Sequence, residues 1–314
     1  MILSPDANGI GQAGQLLRDG ELVAFPTETV YGLGADAMNP AAVEAIFLAK
    51  RRPPDNPLIA HVADREMLLL LARDIPRQAD QLINRFWPGA LTLVLARKEN
   101  VPAIMSAGLP SIAVRMPNHR VALDLIRQAG TPIAAPSANR SGRPSPTNAR
   151  HVADEFGDDI AAIIDGGPCA LGVESTVLDV TREPCRILRP GGVTREQLSE
   201  ALGYDPGIAT DMENGSSPGV RHMHYRPLCD IQLFSRDQPP LPGDQEGMIT
   251  FTFPPPSSRF SVHLDSIEEY ARRLYALMRE ADDRQLKRLY LEEPPEAGIG
   301  LALRDRLQRA ARRE

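Results

Sequence analysis

Short apolar runs that read as buried strands alternate along the chain with stretches whose apolar residues recur every three or four positions, which read as helices. The spacing predicts a helix over 11–18 stopped by Gly20, a strand over 21–25 and a polar loop over 26–34. Val43, Ile46 and Phe47 mark a helix over 40–50, ended by Arg51-Arg52-Pro53-Pro54. A strand over 57–62, helices over 64–73 and 76–86, strands over 91–96 and 111–116 and a helix over 119–129 follow. Pro132-Ile133-Ala134-Ala135 reads as a buried strand ending at Pro136. Thr147 is placed to cap a helix to about 155; strands are predicted over 160–165, 174–180 and 186–188, and a helix over 195–202.

From 203 to 227 the pattern gives way to Gly, Pro, Ser and Asn, a connection long for a compact domain and therefore functional or flexible. Beyond it the periodicity resumes, with strands over 231–234, 248–253 and 260–264. A helix over 267–281 opens on the capping box Ser266-x-x-Glu269 and buries Ile267, Tyr270, Ala271, Leu274 and Met278. A strand over 286–291 and a helix from about 299 close the chain. Strands interleaved with helices make the fold α/β. It divides into a first domain over 1–205, a linker over 206–229 and a small α/β domain over 230–314.

With 314 residues, two domains with cores of their own are within reach, and 42% hydrophobic with 24% charged residues is the balance of a soluble globular protein. The longest apolar run, Met67 to Ala72, is too short for a membrane span, and the first residues lack the basic and apolar regions of a signal peptide; a cytoplasmic enzyme is expected. Cys169, Cys185 and Cys229 form no Cys-x-x-Cys pair, which argues against a disulfide framework or a zinc site. His222 and His224 are the only close histidine pair and have no further ligands at metal spacing. A net charge of −6 sets up no global field for nucleic acid. Lysine occurs only at 50, 98 and 287, which singles out Lys50.

Familiar catalytic signatures are missing: no P-loop, no Gly-x-Ser-x-Gly elbow and no His-Glu-x-x-His. Gly9 to Gly14 matches Gly-x-Gly-x-x-Gly formally, but only eight residues precede it and Pro5 breaks them, so it is not a dinucleotide fingerprint. What remains is a set of hydroxyls and cations at strand ends, most concentrated in Pro136 to Thr147, which carries Ser137, Asn139, Ser141, Ser145, Thr147 and two arginines with no acid. Such a loop suits an anion, phosphate above all, although its composition is also that of a surface loop. Lys50 to Arg52 could equally cap their helix against its dipole. On this reading both sit at an exposed helix end. Arg115, among apolar neighbours, must be paired or face a cavity.

Several of these stretches resemble one family. Pro26-Thr27-Glu28-Thr29-Val30-Tyr31-Gly32-Leu33-Gly34, Lys50-x-Arg52 with Asn56-Pro57-Leu58-x-x-His61, Pro136-Ser137-Ala138-Asn139 with its following Ser, Pro and Thr residues, Glu174-Ser175-Thr176-Val177 and Leu188-Arg189-Pro190-Gly191 look like the YrdC family. The segment from Ser217 to Pro227 resembles the linker of that family's long, two-domain form, except that His222 and Arg226 stand where the family usually has Tyr and Ala. The resemblance implies a YrdC-like twisted mixed sheet with flanking helices and a small C-terminal Rossmann-like α/β domain. It also implies a nucleotidyltransferase reaction in which L-threonine, bicarbonate and ATP give L-threonylcarbamoyl-AMP and pyrophosphate. The product would serve N6-threonylcarbamoylation of adenosine 37 in ANN-decoding tRNAs through a separate tRNA-threonylcarbamoyl transferase machinery, with at most weak contact to tRNA itself and none to a membrane.

Carried over by position, the resemblance implies a catalytic tetrad of Lys50, Arg52, Ser137 and Asn139. ATP contacts fall to Arg52, Asn56, Ser111, Ser137, Ser145, Arg189 and, from the linker, Tyr225. Threonine contacts fall to Thr29, His61, Arg115, Ala135 and Ser175. Magnesium is expected on the ATP phosphates and not in a protein cage. Two other readings accompany this one: an RNA-binding module, which the acidic balance disfavours, and a carbamoyl-adenylate-forming maturation factor, whose relatives carry zinc-finger cysteines that are absent here.

Overall fold

The structure is a computed structural model that describes residues 1–209, 225–256 and 260–312. The first body is a ten-stranded sheet of β1 (Ile2–Leu3), β2 (Val23–Phe25), β3 (Gly32–Asp36), β4 (Ile59–His61), β5 (Leu91–Ala96), β6 (Ser111–Arg115), β7 (Ile133–Ala134), β8 (Ala162–Ile164), β9 (Thr176–Asp179) and β10 (Arg186–Arg189). Their order is β1-β8-β2-β3-β7-β4-β6-β5-β9-β10, with parallel and antiparallel neighbours mixed. Around it lie α1 (Ala7–Arg18), α2 (Pro40–Lys50), α3 (Arg65–Leu71), α4 (Arg77–Phe86), α5 (Arg120–Ala129), α6 (Ala149–Phe156) and α7 (Arg195–Leu202).

Strand periodicity decides what the sheet's centre offers. Leu58, Ala60 and Val62 of β4 and its flanks, with Ile112 and Val114 of β6, join the main core. Because side chains alternate at a period of two, Ile59, His61, Ala113 and Arg115 point to the opposite face. β4 and β6 run parallel with His61 opposite Arg115, so both arrive at the same end of that face.

Local differences from the sequence expectations have local causes. Residues 26–34 are not one loop, because β3 begins at Gly32 and pairs antiparallel with β2. Its glycines hide it, and they are there for closeness: a Cβ on Gly34 would lie 2.9 Å from the Phe25 ring and 3.0 Å from Ile133. Asn148, not Thr147, caps α6, its side-chain oxygen accepting from the His151 N–H at 2.9 Å. Residues 207–209 run along β10, with Ile187 donating to Gly207 and Ala209 donating to Ile187 through the backbone, so the first body extends to Ala209.

The second body stacks β11 (Asp230–Phe234), β12 (Glu246–Thr250), β13 (Phe260–His263) and β14 (Arg288–Glu292) in the order β11-β14-β12-β13, all parallel, against α8 (Ile267–Asp283) and α9 (Ile299–Ala311). Tyr270, Leu274 and Met278 supply its core from the predicted stripe. Ser266 caps α8 as expected, but the Glu269 carboxylate accepts from the Asp265 N–H, one residue before the cap. α8 and α9 also face the first body, with ion pairs Arg143–Asp282 at 3.1 Å and Arg279–Glu155 at 2.8 Å. Among the described residues no helix is long and apolar enough to cross a membrane.

Candidate active site

A cleft opens on the β4–β6 face, bounded by the 136–141 loop and by Tyr225. At one wall α2 ends with Arg51 in the left-handed region at φ 51°, and Lys50 and Arg52 both reach the cleft. The expectation of an exposed helix end is corrected for Lys50, which is 1% exposed. Its Nζ donates to the Ser137 carbonyl at 2.6 Å and to that of Asn139, so the ammonium ties α2 to the loop. Burial, helped by the Arg52 charge, pushes the Lys50 amine well below its ordinary range. Arg52, half-buried, donates to the carbonyls of Asn56 at 3.2 Å and Pro57 at 3.1 Å. Burial lowers it to about 10.

The loop is held by its own polar groups. Ser137 donates from Oγ to Asn139 Oδ1 at 2.6 Å, and Asn139 Nδ2 donates to the carbonyls of Arg140 and Arg143 at 2.8 Å each. Main-chain bonds from Leu33 to Pro136 and from Ala138 to Tyr31 splice it onto β3.

The other end of the cleft collects Thr29, His61, Arg115 and Ala135. Arg115, 3% exposed, donates to Thr29 Oγ1 at 2.9 Å and to the Gly89 carbonyl at 3.0 Å, and pairs with Glu28 at 2.5 Å. Both readings of Arg115 therefore hold, since it is paired and it also faces a cavity. Burial, then the Arg115 charge, pulls His61 to about 3, so its imidazole is neutral at neutral pH. A third side is Ser175 and Arg189: Arg189 Nη2 donates to the Ser175 carbonyl at 2.9 Å, and Ser175 Oγ lies 2.8 Å from Thr92 Oγ1.

Of the residues singled out from sequence, Lys50, Arg52, Ser137, Asn139, Thr29, His61, Arg115, Ala135, Ser175, Arg189 and Tyr225 line this one cleft. Asn56, Ser111 and Ser145 do not. Asn56 is buried and supports Arg52 through its carbonyl. Ser111 shares a face with Arg115 but begins the strand that Arg115 ends, about 13 Å away at the usual strand rise. Ser145 is buried behind the wall and donates to Glu174 Oε1 at 2.7 Å. Arg226 pairs with Asp230 at 3.9 Å and is not in the cleft lining. Arg221, His222 and His224 lie outside the described residues.

Two participants were not picked out from sequence. Glu174 stood only inside a motif, yet it lines the cleft. Burial alone would raise its pKa, but Arg306, then Arg189, and hydrogen bonds from Ser145 and Arg306 hold it at about 2. Arg306 comes from α9, and as one arginine among many in this chain it carried no local signal. Four cations, Lys50, Arg52, Arg115 and Arg189, thus surround a cleft with one carboxylate of its own, an arrangement suited to anionic groups. Among the described residues no group of three or more His, Cys, Asp or Glu side chains could hold a metal ion.

Residues 15–191 match the Sua5, YciO and YrdC family described as "Telomere recombination", and residues 193–312 match the family described as "Threonylcarbamoyl-AMP synthase, C-terminal domain". The threonylcarbamoyl-AMP synthase of Pyrococcus abyssi is 43% identical over 95% of this chain and 93% of its own length. That of Bacillus subtilis is 43% identical over 98% and 94%. The crystal structure of P. abyssi Sua5 complexed with L-threonine superposes with a TM-score of 0.92 at 40% identity, covering 99% of this chain and 97% of that one.

Proposed function

The chain belongs to the threonylcarbamoyl-AMP synthase family, enzymes of the nucleotidyltransferase type, and from that premise we propose the reaction its cleft performs. L-threonine and bicarbonate condense to N-carboxy-threonine with loss of water. A carboxylate oxygen of that carbamate attacks the α-phosphorus of ATP in line, the α–β phosphoanhydride breaks, and pyrophosphate leaves with the bond electrons. L-threonylcarbamoyl-AMP results, an activated carbamoyl for N6-threonylcarbamoylation of adenosine 37 in ANN-decoding tRNAs by a separate transferase machinery.

The observation that carries this reading is one cleft with two different ends. At the first, Arg52 and Arg189 offer guanidinium groups to phosphate oxygens, Ser137 and Asn139 form a wall pre-ordered by their own hydrogen bond, and Tyr225 covers it. Lys50 adds its charge from beneath that wall while it fixes the loop's carbonyls. At the second end Arg115 takes the threonine carboxylate, its guanidinium already oriented by Thr29, Gly89 and Glu28. His61, neutral, offers the amino group a hydrogen-bonding partner without a competing charge. Magnesium, if carried on the ATP phosphates, would supply further neutralisation of their charge, beside Arg52, Arg189 and Lys50 of the cleft.

Pyrophosphate release from the full-length protein, with threonine, bicarbonate and ATP omitted in turn, tests the reading. Release is expected only when all three are present, and release unaffected by omitting threonine would overturn it. Serine should replace threonine with a modest loss, because one methyl group in a pocket is worth only about 1–3 kcal/mol.

A further inference from the structure

Glu174 and Tyr225 line the cleft, yet the side chains that hold both come largely from the second body. Arg306 of α9 is fully buried. It donates from Nε to Glu174 Oε2 at 2.8 Å and from Nη2 to the Pro190 carbonyl, next to Arg189, at 2.9 Å. Nη1 reaches Asp305 Oδ2 at 2.5 Å. The guanidinium carbon sits 5.3 Å from the centroid of the Tyr225 ring. From α8, Tyr275 stacks on the same ring at 5.5 Å and 27°, and its hydroxyl lies 3.1 and 3.0 Å from the two Glu174 oxygens.

Two physical demands meet at this point. Tyr225 has φ 70°, a left-handed conformation that costs a residue with a Cβ about 1–2 kcal/mol and persists only where surrounding contacts fix it. Glu174 is a carboxylate on the wall of a cleft read as binding phosphates, where an unanswered negative charge would repel the ligand. A single planar cation satisfies both, giving Nε to the carboxylate and Nη2 to the Pro190 carbonyl while its carbon lies over the ring, a set of fixed directions that a lysine ammonium does not offer.

We propose that Arg306 is a positioning residue of the active site: by pairing with Glu174 and packing on Tyr225, it assembles the nucleotide end of the cleft from the second body. The proposal rests on Tyr225 contacting the nucleotide as in the reading above. Arg306 itself is absent from the cleft lining, so it acts through those two residues and not on the phosphates. The threonine end is built by β4, β6 and the segment before β3, all of the first body.

The test is a kinetic double-mutant cycle on the full-length enzyme, read as KM for ATP and KM for threonine in the pyrophosphate-release assay. Arg306→Lys keeps the charge and loses the plane; KM for ATP should rise about tenfold while KM for threonine stays within about twofold. In a Tyr225→Ala background the same substitution should raise KM for ATP by less than about threefold, because its main relay is gone. Equal rises in both KM values, an effect undiminished on Tyr225→Ala, or no effect at all would each overturn the proposal. Should Arg306→Lys not fold, Asp305→Asn weakens the outer partner that Arg306 shares with Arg309; a rise in KM for ATP with KM for threonine unchanged, and absent from Arg309→Gln, supports the proposal, and no change refutes it. Pyrophosphate release by the unmodified enzyme without threonine would instead strike the functional reading, and the two failures are separate.

Discussion

Lys50 places its ammonium where two carbonyls of the 136–141 loop receive it and no solvent does. Lys50→Met therefore removes a charge from the end of the cleft proposed to take the nucleotide and leaves the Ser137 and Asn139 carbonyls without this donor. Turnover should fall about 10²-fold or more, as for other preorganised charge-stabilising groups. Stability should also fall, by about 1–3 kcal/mol for buried acceptors left unmade. Steady-state kinetics with urea denaturation separates this from a purely catalytic role, in which stability would not move. His61 makes a different claim. Its folded pKa, about 3, lies below the ordinary 6.5, so the unfolded chain binds a proton that the folded one refuses. Its contribution is thus complete above about pH 6.5 and is lost as pH falls towards 3. The stability of His61→Gln should decline less between pH 7 and pH 4 than that of the unmodified protein, and parallel declines in urea titrations would refute the assignment.

The element that matters most for chemistry is the end of α2. Arg51, at φ 51°, ends the helix in a left-handed turn between two cleft-lining cations. Gly adopts this conformation freely and a β-branched residue does so at a cost. Arg51→Gly should keep or raise stability, by up to about 1 kcal/mol, with activity retained. Arg51→Ile should lose about 1–2 kcal/mol and depress activity by disturbing Lys50 and Arg52 together. Thermal unfolding and turnover of the pair check it; equal behaviour of the two variants would show that the turn does not govern the site.

For the whole molecule the decisive relation is the seat of α8 and α9 on the first body. Gly172, at φ 78°, lies so close to α8 that a Cβ would come within 2.4 Å of the Arg272 Cα and 2.6 Å of the Ala271 carbonyl oxygen. Those are backbone atoms, so Gly172→Ala must shift the helix and with it the Tyr275 contact to Glu174. A stability loss of about 2 kcal/mol or more and a raised KM for ATP are expected. An unchanged KM for ATP would show that the seat can move without reaching the site. Ending the chain after Ala209 removes Tyr225, Tyr275 and Arg306 together. The first body keeps its own core and should stay folded, with ATP binding weakened about tenfold or more and threonine binding much less affected; calorimetric titration of each ligand decides it.

The strong periodic elements were legible in the chain itself. The helices over 40–50 and 195–202 and the strand over 91–96 match α2, α7 and β5, because a stripe at 3.6 or a dense apolar run is a local signal. β1, two residues long, and β3, rich in glycine, left no such signal, since their neighbours and not their own side chains make them strands. The polar loops and the Lys50-x-Arg52 spacing pointed to a phosphate-binding chemistry, and their resemblance to a family named the reaction. Only the tertiary structure decided that Lys50 is buried, that Glu28 pairs with Arg115, and that Arg306 answers Glu174. That last pair joins residues 132 positions apart. Periodicity reports which face of an element is buried; it says nothing about which distant element covers that face, and a buried charge finds its partner only when the two bodies dock.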